Sequence, residues 1–160
     1  MHGYPYLPDG RDFGFVPADN PYMEFAREMA KLYSLDDAVK TGAVLVSNGV
    51  VIGTGANGSD FHKTNVCERV RQDIPTGEGY ELCEGCHPNN HAERRAVETA
   101  KTSGEAVQGA ELYLWGHWWA CKPCWDSMLA EGVSRVYLQE GSEILFNKQN
   151  PGNVLGHWFE

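Results

Sequence analysis

The chain has 160 residues, 42% hydrophobic and 22% charged, the profile of a folded domain and not of a disordered or fibrous chain. Thirteen Lys and Arg stand against 22 Asp and Glu, for a net charge of −9. That balance argues against a nucleic-acid polymer as partner, since a phosphate backbone demands a basic face, and the apolar runs are too short to make a membrane a partner.

Residues 1–18 are rich in Gly, Pro and Asp and are expected to form an irregular arm. The opening residues lack the charged-then-apolar pattern of a secretory signal, so a cytoplasmic location is expected. Asn20 followed by Pro21 is a helix start, a capping side chain before a residue tolerated in the first turn. Tyr22, Phe25, Met29, Leu32 and Tyr33 then recur at helical spacing, which places a helix at about 21–34. Ala43–Ser47 and Val50–Thr54 are β-rich runs joined by Asn48-Gly49, the strongest short hairpin signal.

Residues 55–90 show no periodicity and hold three of the five cysteines. A structureless stretch of that length inside a compact domain calls for a staple. A helix follows from around Asn90 to about Thr102, then a strand at Glu111–Trp115, a helix at Cys121–Glu131 and a strand at Val133–Leu138. Ile144–Phe146 is a last short element. The layout is one domain, residues 1–160, with its core at 20–140 and a tail at 141–160. A strand–helix–strand unit after a hairpin implies a mixed sheet with helices on its faces, hence an α/β fold.

The chemistry concentrates in two short motifs, His91-Ala92-Glu93 and Cys121-Lys122-Pro123-Cys124. One imidazole and two thiolates suit Zn²⁺ and leave a fourth tetrahedral position open, which separates a catalytic zinc from a structural one. Glu93 lies two residues from His91 on a helix, so it does not share that residue's face. It is placed to serve as general base beside the metal. Taken singly, Asn90-x-x-Glu93 reads as a capping box and C-x-x-C as a redox pair. In this order, at strand–helix junctions after a hairpin, they read together as a zinc site. The odd cysteine count also suits metal ligation better than a disulfide framework.

On these residues the chain resembles the cytidine and deoxycytidylate deaminase superfamily, whose signature is H-x-E followed by P-C-x-x-C. Ala120 stands here where that signature has Pro. The resemblance covers residues 20–140 and implies a three-layer α/β/α sandwich with a mixed sheet of about five strands. It implies catalytic zinc on His91, Cys121 and Cys124, with Glu93 shuttling protons. It also implies substrate contacts from Asn57, in Gly55-Ala56-Asn57-Gly58, from the Ala92 backbone N–H, and from His117 and Trp118 as pocket wall. Lys63, Arg69 and Arg71 are candidates for a phosphate.

Cys83-Glu84-Gly85-Cys86 resembles a zinc knuckle, and several deoxycytidylate deaminases carry a structural zinc in this stretch. A second zinc is therefore expected on His62, Cys67, Cys83 and Cys86, with His87 as substitute. The segment Ile74-Pro75-Thr76-Gly77-Glu78 favours the nucleotide branch. The expected function is zinc-dependent hydrolysis of dCMP to dUMP and ammonia, on a small-molecule substrate and in a homo-oligomer. The alternatives are a deaminase of guanine, adenosine or cytidine, or a non-catalytic zinc-stabilised nucleotide-binding module.

Overall fold

The computed structural model describes residues 4–36, 39–59, 65, 67–74, 78, 80–83 and 87–159. The order is β1 (Phe13–Val16), α1 (Pro21–Tyr33), β2 (Gly42–Ser47), β3 (Val50–Ala56), α2 (Glu68–Arg71), α3 (Ala92–Thr102), β4 (Glu111–Trp115), α4 (Lys122–Ala130), β5 (Arg135–Gln139) and α5 (Ser142–Phe146). Short 3₁₀ turns lie at Tyr80–Leu82 and Pro88–Asn90.

The sheet forms where the sequence signals it. Asn48 and Gly49 both take positive φ, 52° and 77°, so the hairpin closes in the tight turn whose twist matches its strands. β2 and β3 pair antiparallel from Ser47↔Val50 to Gly42↔Ala56. β4 pairs antiparallel with β2 and parallel with β5, and α4 supplies the crossover that a parallel pair needs. The strand order is β1-β5-β4-β2-β3, a mixed five-stranded sheet.

Alternation along the strands sends side chains to two cores. Ala43, Leu45, Leu112, Leu114 and Leu138 meet α3 and α4 on one face. Val44, Val46, Tyr113 and Trp115 meet Met23, Ala26 and Ala30 of α1 on the other. This is the three-layer α/β/α sandwich expected. Asn20 caps α1 as its sequence suggests, its Oδ1 accepting from the N–H groups of Tyr22 and Met23 at 3.0 and 3.2 Å.

α3 lies unusually close to β3 because small residues face each other. Ala92, Ala96 and Ala100 of the helix are fully buried against Gly53 and Gly55. A Cβ at Gly55 would lie 2.5 Å from the Ala92 carbonyl oxygen and 2.7 Å from the Ala96 nitrogen. Backbone atoms cannot rotate aside, so Gly55→Ala must push the helix off the sheet. We expect a loss of about 2–3 kcal/mol, the upper range for overpacking, read as a lowered Tm. An unchanged Tm would show that α3 can drift without cost.

Two segments depart from expectation. The predicted arm contains β1, which pairs parallel with β5 and buries Phe13 against Trp125 at 5.4 Å. The last short element expected at Ile144–Phe146 forms as α5, and the tail after it packs back, with Phe159 stacked on Trp115 at 5.5 Å and Arg27 5.2 Å from the Phe159 ring centre. The stretch at 55–90 carries α2 and two 3₁₀ turns, not a structureless loop.

Candidate active site

The first turns of α3 and α4 meet beside the sheet. His91 is the residue before α3, with extended backbone and no capping hydrogen bond from its side chain. The helix cap is His91 and not Asn90, which puts the capping-box alternative out of register, and Asn90 Oδ1 accepts from Arg95 Nη2 at 2.8 Å. Arg95 Nη1 also donates to the Ala56 carbonyl at 2.9 Å, tying the approach to His91 to the end of β3. Cys121 precedes α4, and Pro123 sits in its first turn, where a missing N–H costs no helical bond.

This arrangement brings His91 Nδ1, Cys121 Sγ and Cys124 Sγ together. The separations are 3.3 Å between Nδ1 and Cys124, 3.4 Å between Nδ1 and Cys121, and 3.3 Å between the sulfurs. Zn–S bonds of about 2.3 Å and Zn–N of about 2.0–2.1 Å imply tetrahedral edges of roughly 3.5–3.8 Å. The triangle is within a few tenths of an ångström of that, so the donor set fits the ion. Among the described residues it is the one group of three or more such donors that could hold a metal.

The sulfurs are not equivalent. Cys121 is lowered to about 5, chiefly by its hydrogen bond with Cys124, while that bond and burial raise Cys124 well above the ordinary thiol value. Glu93 is 5% exposed and lies outside the donor triangle. Burial raises its pKa, with His91 opposing and Cys121 adding to the rise, so the carboxyl is biased towards holding a proton.

A cleft of about 640 Å³, counted out to its mouth, opens over these groups. His91, Ala92, Glu93 and Cys121 form its floor, with His117, Trp119, Asn57 and Tyr80 around it.

The model of the "Cytidine and deoxycytidylate deaminase zinc-binding region" matches residues 17–140. The chain belongs to this family. Its match and the donor triangle together support Zn²⁺ as the bound ion. No curated protein matches the chain.

Several solved structures are similar. One is the diaminohydroxyphosphoribosylaminopyrimidine deaminase/5-amino-6-(5-phosphoribosylamino)uracil reductase of Thermotoga maritima, 25% identical with a TM-score of 0.47. The alignment covers 73% of this chain and 28% of that longer one, so this chain spans little more than a quarter of its length. Another is the apo dCMP deaminase of cyanophage S-TIM5, 25% identical with a TM-score of 0.50 over 74% of this chain and 80% of that one. The guanine deaminase of Bacillus subtilis is 18% identical, with a TM-score of 0.45 over 80% and 70%.

Within this deaminase domain the predicted pocket residues divide. Ala92, Asn57 and His117 line the cleft. The Asn57 amide is largely spent on its own loops, with Oδ1 accepting from Ser34 Oγ at 2.6 Å and Thr41 N at 2.9 Å, and Nδ2 donating to the Val39 carbonyl at 2.6 Å. One Nδ2 hydrogen remains for a ligand. His117 is lowered to about 4, by burial first and then by His91, so its ring is neutral at pH 7. Its Nδ1 accepts from the N–H groups of Trp118 and Trp119 at 3.0 and 3.3 Å, which leaves the ring hydrogen on Nε2.

Trp119 lines this cleft, and Trp118 lines a neighbouring one. Gly116 takes φ +95°, which breaks the strand alternation just before these residues.

Of the second-metal set, His62 and Cys86 lie outside the described residues, as does Lys63 of the phosphate candidates. Cys67, Cys83 and His87 are described and do not by themselves form a three-donor group. Arg71 is turned to Glu68 at 2.6 Å. Arg69 lines the cleft, with its guanidinium 4.4 Å from the Tyr80 ring centre, and Tyr80 stands edge-on to His91 at 4.9 Å. Tyr80 and Trp119 are site residues the sequence reasoning missed.

Proposed function

We propose that the chain hydrolyses the amino group of a pyrimidine nucleotide, converting dCMP and water to dUMP and ammonia. The observation that carries this reading is Glu93, a buried carboxyl beside a three-donor zinc triangle within one cleft. A structural metal needs no such neighbour.

His91, Cys121 and Cys124 would hold the zinc, which would supply Lewis-acid activation of the attacking water. Glu93, as carboxylate, would take one proton from the attacking water as its oxygen adds to the amino-bearing ring carbon, and would deliver it to the adjacent ring nitrogen. It then transfers the second proton to the departing amino group, which leaves as ammonia. The Ala92 N–H belongs to the first helical turn, where amides have no intrahelical partner, and is placed to donate to the ring carbonyl. The spare Asn57 Nδ2 hydrogen and the neutral His117 Nε2–H are two further donors. Trp119 gives the cleft an apolar wall.

The choice of dCMP among amino-bearing rings is supported by the likeness to the cyanophage dCMP deaminase. The same reading includes one domain, a second structural zinc in the cysteine-bearing stretch, a homo-oligomer and a cytoplasmic location. No helix among the described residues is long and apolar enough to cross a membrane.

An ammonia-release screen of the zinc-loaded protein over free bases, nucleosides and monophosphates tests the function. The highest kcat/KM is expected for dCMP. Preference for guanine, adenosine or cytidine would reassign the substrate, and silence on every amino-bearing ring would remove the activity.

A further inference from the structure

A second cleft, about 920 Å³ counted to its mouth, adjoins the first. The two share Val39, His117 and Trp119, which form the ridge between them. Its far wall comes from Pro5 and from residues of 143–155, outside the 17–140 matched by the family. The segments that the family match does not reach thus build a compartment one side chain away from the zinc donors' cleft.

A base seated over His91 and Glu93 must project its sugar and phosphate out of the first cleft. One exit leads past Arg69. That guanidinium is already engaged, with Nε donating to the Glu78 carbonyl at 2.8 Å and its plane over Tyr80, and Asp36 lines the same cleft. The other side of the cleft is the ridge it shares with the second cleft. There Trp118 offers an aromatic face for a sugar ring. Beyond it stand Asn147, Lys148 and Gln149.

Asn147 Oδ1 accepts from the Gln149 N–H at 3.0 Å, which leaves its Nδ2 hydrogens as donors. Lys148 is exposed, and its ammonium makes no ion pair or hydrogen bond among the described residues. A phosphate needs a cation and N–H donors of this kind. Glu143 also lines this cleft, and its charge opposes an anion.

We propose that the nucleotide straddles the ridge, with its base in the zinc cleft and its sugar phosphate in the second cleft, the phosphate on Lys148. This rests on the reading of the chain as a pyrimidine nucleotide deaminase. The terminal segments, not the central stretch with Arg69, then set the preference for nucleotide over nucleoside.

Equilibrium binding to the zinc-loaded Glu93→Gln protein tests this without turnover, using dCMP and deoxycytidine as probes. Adding Lys148→Gln should weaken dCMP about tenfold or more, the size of a charge-assisted hydrogen bond, and leave deoxycytidine within about twofold. Adding Glu143→Gln should tighten dCMP, an opposite sign that a general disturbance of the surface would not produce. Equal dCMP affinity with and without Lys148, or a selective loss of dCMP in Arg69→Gln instead, overturns the proposal. No dCMP binding by the parent protein would instead sink the nucleotide reading beneath it.

Discussion

Glu93→Gln is expected to keep the fold and the zinc and to lose about two to four orders of magnitude in kcat, the usual worth of a positioned general acid–base group. The amide fills the same volume and still hydrogen-bonds, so a site that is only 5% exposed stays packed. What it cannot do is accept a proton from water and return it to the ring. Glu93 is not one of the three donors that converge on a common point, so zinc content should stay at the parent value. KM for dCMP should change little, because the interaction removed acts in the transition state. Parental kcat in this variant would take Glu93 out of the chemistry. A fall in zinc content would make it a ligand instead.

The parts of this molecule legible in its sequence are those with a local rule behind them. The hairpin follows from Asn48-Gly49, the start of α1 from Asn20-Pro21, and the donor triangle from two short motifs that each open a helix. What was not legible depends on distant partners or on a break in a local rule. β1 is four residues long and contains Gly14, and its partner β5 lies more than a hundred residues away, so nothing nearby marks it as a strand. Trp118 and Trp119 are neighbours in a segment where the positive φ of Gly116 has ended the alternation, so the sequence cannot say which faces the cleft. Tyr80 reaches His91 from a 3₁₀ turn with no periodic signal, and the second cleft is assembled from both ends of the chain.

Loss of one sulfur should be the most damaging change to the metal site. Cys124 is fully buried and lies within 3.3 Å of both other donors. Structural zinc sites bind with about 10–16 kcal/mol over four ligands, so Cys124→Ala should cost roughly 3 kcal/mol of affinity, about a hundredfold or more, and abolish ammonia release. With a second zinc in the 55–90 stretch, the parent protein holds two equivalents and the variant one; a parent with a single equivalent would reject that second ion. The pair of thiols also fixes how zinc uptake depends on pH. Cys121, held near 5 by its hydrogen bond with Cys124, is a thiolate at pH 7, whereas Cys124, raised by that bond and by burial, keeps its proton. Metal binding at this site therefore expels at least the Cys124 proton, and affinity rises with pH above neutrality until Cys124 itself ionises. Calorimetric titration of the metal-free protein in buffers of different ionisation enthalpy measures that number for this site. Uptake with no proton released would mean that both sulfurs are already ionised before the metal arrives, and the asymmetry between them would be lost.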